Sequence, residues 1–153
     1  MSDSCCAPTS SDPRYARILW IALAANALMF LVELGAAVYS GSSALAADAA
    51  DFLGDSANYA ASLGAIALGG LWTSRVAVLK GIAMLSYGVG VLAYAGWRAW
   101  LGAPPEPLTM GAVAILAFAV NLAIAALLYR YREGDANMRS VWLCSRNDVI
   151  ANV

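Results

Sequence analysis

Residues 44–72 read ALAADAADFLGDSANYAASLGAIALGGLW. The run is almost wholly small and apolar, yet it carries Asp48, Asp51 and Asp55, followed by Asn58, at intervals of three, four and three residues. On a helix turning about 100° per residue these positions fall on one stripe. A segment of this length and character spans a ~30 Å hydrocarbon core as a helix. A carboxylate at mid-bilayer depth costs roughly 3 kcal/mol on insertion scales unless it is paired or hydrated. The stripe therefore faces protein or water rather than lipid.

The rest of the chain has the same character. Of its 153 residues, 61% are hydrophobic and 12% charged, with a mean hydropathy of +0.68. A soluble domain carries about a quarter charged residues, so the composition is that of an integral membrane protein. A net charge of −1 and the lack of a basic block argue against a nucleic-acid binder. Three cysteines and no histidine argue against a disulfide scaffold, histidine catalysis and a His-rich zinc site. No nucleophile–base pair stands out, so the chain is not read as an enzyme. Of ten acidic residues, five (Glu33, Asp48, Asp51, Asp55 and Asp148) lie inside apolar stretches.

Hydropathy and turn signals predict an all-α fold of four transmembrane helices plus the start of a fifth. The expected spans are 17–39, 44–72, 76–100, 108–131 and 137–153, within a transmembrane domain covering 14–153. Residues 1–13 read as a disordered cytosolic tail containing the pair Cys5-Cys6. Gly41-Ser42-Ser43, Thr73–Arg75, the GAPPEP run 102–107 and Arg132–Arg139 are the expected connections. The fifth segment reaches only about 25 Å by Val153, so the chain is read as a fragment ending inside that helix. Arg14, Arg17, Arg75, Lys80, Arg130, Arg132 and Arg139 fall on one side and Arg98 on the other. The positive-inside rule then places the N-terminus in the cytoplasm. Trp72, Trp97, Trp100, Tyr129, Tyr131 and Trp142 stand near span ends, as interfacial aromatics do.

The fifth segment repeats the polar pattern, with Cys144, Asp148 and Asn152 four apart. Counted from Ser43, Asp51 lies about 12 Å into the membrane and Asp55 about 18 Å. Counted from Asp135 on the opposite side, Cys144 lies about 13 Å in and Asp148 about 19 Å. The antiparallel pairs Asp51 with Asp148 and Asp55 with Cys144 thus match in depth. Three carboxylates and a thiol in low dielectric need a cation or protons. That donor set suits a four-coordinate divalent transition metal such as Zn²⁺. The thiol favours softer ions and the carboxylates admit harder ones. A proton relay or a helix-packing cluster without metal is the alternative from spacing alone. Asp48, Cys5 and Cys6 are accessory candidates, and Glu33 either lines an ion path or makes a structural pair. Asn26, Asn58, Asn121 and Asn152 read as interhelical hydrogen-bonding residues.

LAADAADFLGD at 45–55 and NMRSVWLCSRND at 137–148 resemble the second and fifth helices of the cation diffusion facilitator family of metal/proton antiporters. Asp51 and Asp55 match the family's His/Asp-x-x-x-Asp pair on helix two, and Asp48 matches the aspartate before it. Cys144 and Asp148 match the pair on helix five, with Cys144 where many zinc members have His. The resemblance implies part of a six-helix cation-efflux bundle in the inner cell membrane. It implies secondary active efflux of zinc-, cadmium- or cobalt-like cations in exchange for protons, with Zn²⁺ foremost and no permanently bound cofactor. Its implied partners are the metal cation, protons and the lipid bilayer, with no nucleic acid and a homodimer for the full-length form. The competing expectation is a non-transporting helical membrane module or a degenerate transporter fragment.

Overall fold

A computed structural model describes residues 12–68, 70–102, 106–134 and 136–151. The described residues are helical almost throughout, with no strand among them. Helix α1 spans Pro13–Ser40, α2 Ser43–Leu68, α3 Gly70–Leu101, α4 Pro107–Leu128 and α5 Ala136–Ala151; a 3₁₀ turn, Tyr129–Tyr131, extends α4. Cys5, Cys6 and Asn152 lie outside the described residues.

The helix ends follow from local chemistry. Pro13 opens α1, where a missing N–H costs nothing, and the Asp12 carboxylate accepts the Arg14 N–H at 2.8 Å. Gly41 ends α1 in the left-handed region at φ 66°, and its N–H and that of Ser42 both bond the Ala37 carbonyl. The Ser42 hydroxyl then accepts the Leu45 N–H, so two residues suffice to reverse the chain. A Cβ at position 41 would also collide with the Arg98 guanidinium from α3. That places a cation beside the carbonyl end of α1, where the helix dipole favours one. Glu106 caps α4 through both carboxylate oxygens, and its N–H bonds the Ser40 carbonyl, which ties the α3–α4 connection to the α1–α2 turn.

One boundary differs from the sequence expectation. Thr73–Arg75 is not a connection: α3 begins at Gly70 and runs through it. Thr, Ser and Arg are all tolerated inside a helix, whereas glycine is the weaker helix former. The Gly69-Gly70 pair in the sequence was the better breaker signal.

Helix α1 buries Tyr15, Leu19, Ala22, Asn26, Met29, Glu33, Ala37 and Ser40, a stripe stepping by three and four residues. Its other faces stay exposed, with Trp20, Leu28, Leu31 and Val38 all more than half accessible. Helices α1, α2, α4 and α5 close a ring through the contacts α1–α2, α2–α5, α5–α4 and α4–α1, while α3 packs along α2. The exterior is rich in large apolar side chains, including Leu85, Leu92, Trp100, Leu108 and Ile115. This inverts the surface of a soluble bundle. Among the described residues, α1 and the run Pro107–Tyr131 are long and apolar enough to cross a membrane. Helix α2 is almost as long, but its polar stripe lowers its hydropathy.

The interior alternates along the bundle axis. Tyr15, Leu19, Tyr59, Leu128, Tyr131 and Met138 belong to an apolar cluster at one end. Met29, Phe52 and Ala117 form a thin apolar layer in the middle. Ala37, Leu45 and Ala46 close the other end, with Val91, Met110 and Val113 packed on them. Polar side chains occupy the levels between. Asn26, Asp55, Asn121 and Asp148 lie between the first two clusters in helix register, and Glu33 with Asp48 lies between the second and third.

Candidate metal centre

The lower polar level is built by α2 and α5, which run antiparallel. Three side-chain contacts join them in register. The Cys144 thiol donates to Asp55 Oδ1 at 3.6 Å, the Tyr59 and Ser145 hydroxyls share a buried bond of 2.7 Å, and the Ser62 hydroxyl donates to Asn137 Oδ1 at 3.1 Å. Asp55 is 6% exposed and Asp148 9%. One ligand atom from each of Asp55, Cys144 and Asp148 lies within 4.8 Å of the other two. Metal bonds of about 2.0–2.3 Å would set tetrahedral ligands roughly 3.5 Å apart, so a modest inward closure converts this group into a coordination set.

Asp51 stands one turn from Asp55 on an exposed position of α2 and is not in that group. Asp48 lies one turn further along the same helix, half-buried. The structure thus brings together one residue of α2 and two of α5, with two more aspartates leading away from them.

The chemistry of the group is that of a site exchanging protons for a cation. A thiol that donates to a carboxylate is protonated; a bound metal requires the thiolate and so displaces that proton. Two carboxylates this close resist joint ionisation without a cation between them.

Sequence reasoning missed Tyr59, Ser62 and Ser145. Tyr59 and Ser62 continue the four- and three-residue steps from Asp55, and Ser145 lies three residues before Asp148. The stripe was followed to Asn58, which is only partly buried, instead of to Tyr59, which is 1% exposed. Asn26 also departs from expectation. Its amide bonds the Ala22 carbonyl of its own helix at 2.8 Å rather than a neighbouring helix.

Residues 19–76 match the family model of the cation efflux transmembrane domain. The chain carries a cation efflux segment. The segment takes in most of α1, all of α2 and the start of α3, hence Glu33, Asp48, Asp51 and Asp55. The cation efflux match ends before α5, so Cys144 and Asp148 rest on geometry. No curated protein and no solved structure matches the chain. Cation efflux proteins are transporters, and a membrane setting agrees with the two spanning-length helices and the apolar exterior.

Proposed function

We propose that this protein exports divalent transition-metal cations from the cytosol in exchange for protons. The observation that carries the reading is the meeting of Asp55, Cys144 and Asp148 inside the bundle, with Asp55 drawn from the cation efflux segment. Asp51 completes the set as a fourth ligand once its side chain turns inward. Zn²⁺ is the foremost cargo, with Cd²⁺ and Co²⁺ close behind, because the set joins one soft sulfur to hard oxygens.

In this reading the chain crosses the inner cell membrane several times with its N-terminus in the cytoplasm. Cytosolic metal displaces the protons held by the thiol and carboxyl groups. The helices rearrange, the site opens to the other side, and returning protons expel the metal. Cys5 and Cys6 offer a cytosolic capture point, and the full-length form works as a homodimer.

The test is metal uptake into proteoliposomes under an imposed pH gradient. Zn²⁺ transport that follows the gradient and is lost in Asp55→Asn and in Asp148→Asn supports the reading. Transport unchanged in both variants overturns it. A second reading draws on the Tyr59–Ser145 and Ser62–Asn137 bonds: the polar stripes only hold α2 to α5 in a non-transporting module. It predicts that the purified protein binds no divalent metal at pH 7–8 and that Cys144→Ala changes nothing.

A further inference from the structure

Glu33 is fully buried on α1, and neither of its carboxylate oxygens has a hydrogen-bond partner. Isolated ionised carboxylates in such a position cost far more than a hydrogen bond restores. The charged groups within electrostatic reach are Asp48 and Asp51 on α2, and the Tyr87 hydroxyl on α3 lies on its other side. Oxygen-bearing side chains from three helices therefore converge on a level that contains no sulfur and, among the described residues, no cation paired to Glu33.

This level is separate from the thiol-bearing one. Glu33 follows Asn26 by seven residues on α1, and Asp48 precedes Asp55 by seven on α2. Both intervals are about 10 Å of helix. The Met29–Phe52–Ala117 layer lies between. Asp51 precedes Phe52 directly, between the two polar levels on α2.

We propose that Glu33 and Asp48 form a second divalent-cation site, made of oxygen ligands alone, with Asp51 shared between it and the thiol-bearing centre. The inference deepens the transport reading and rests on it: the second site is a station for the same cargo beyond the apolar layer. An all-carboxylate donor set favours hard ions such as Mn²⁺. The oxygens of Glu33, Asp48 and Asp51 are not closed to the 4.8 Å of the thiol-bearing group, so the cation itself draws the exposed Asp51 arm inward.

The test uses the full chain in detergent with two probes. Mn²⁺ bound per chain is counted from the loss of its free-ion paramagnetic resonance signal. Cd²⁺ is followed by thiolate charge-transfer absorbance, taking the part that disappears in Cys144→Ser. Glu33→Gln and Asp48→Asn are each expected to bind one Mn²⁺ fewer than wild type, or to bind it about tenfold or more weakly, with the Cys144-dependent Cd²⁺ band unchanged. Wild-type Mn²⁺ binding in both variants overturns the second site and means that Glu33 is simply protonated. Loss of the Cd²⁺ band in both variants also overturns it, since the levels would then be one site. If Glu33→Gln does not fold, Asp48→Asn decides alone. Absence of a Cys144-dependent band in wild type, with the Mn²⁺ loss intact, sinks the thiol-bearing centre instead.

Discussion

Cys144 supplies the one soft donor of the candidate centre, and its thiol sits on Asp55 at 3.6 Å. Replacing sulfur with oxygen in Cys144→Ser should weaken Cd²⁺ more than Mn²⁺ and narrow the preference between them, by about tenfold or more. Competition between the two ions on the purified protein measures this; an unchanged ratio would remove Cys144 from the ligand set. Tyr59 acts at one remove. Its hydroxyl bond to Ser145 pins α5 one residue past Cys144. Tyr59→Phe should cost about 1 kcal/mol of stability, read as a lower denaturation midpoint, and should weaken metal binding without abolishing it. At this scale the sequence was informative about charge and poor about neutral polar groups. An aspartate in an apolar run stands out against composition, whereas Tyr59, Ser62 and Ser145 are ordinary residues of membrane helices. Only the pairing of α2 with α5 gives them a role.

Helix ends set the register that these contacts need. Glu106 caps α4 through bonds from the Thr109 and Leu108 N–H groups. Interaction with Thr109, then with Leu108, holds its carboxyl below the usual range for a glutamate. A group whose pKa is lower in the folded state stabilises fully above its unfolded pKa, and that contribution fades as pH falls through the folded value. The thermal midpoint of Glu106→Gln should therefore lie below wild type near neutrality, and the gap should close under acid conditions. A gap constant with pH would show that the charge is irrelevant to the cap. Existence and order of the helices were legible because apolar runs and Pro/Gly punctuation are strong signals. The α2–α3 boundary was not. Thr73–Arg75 looked like a connection because its residues are polar, but polarity near a span end does not break a helix, and α3 absorbs it.

Across the whole molecule, the large apolar side chains point outward while much of the interior is polar. A nitroxide at Leu31→Cys, on the exposed face of α1, should therefore be relaxed by oxygen dissolved in lipid. One at Ala22→Cys, which is 1% exposed, should be shielded; equal relaxation at both would mean that α1 does not pack as described. The composition announced a membrane protein, but it could not announce the layering. Layering arises because α1, α2, α4 and α5 each place polar and apolar residues in the same order from one end, and that coincidence exists only after four helices are brought side by side. The middle layer of Met29, Phe52 and Ala117 has an electrical meaning. At an effective dielectric of 20, two unit charges interact by about 4 kcal/mol at 4 Å but by only about 2 kcal/mol at 10 Å. The layer works as a dielectric spacer: charging one polar level is sensed at the other, yet each level can hold its own ionic state.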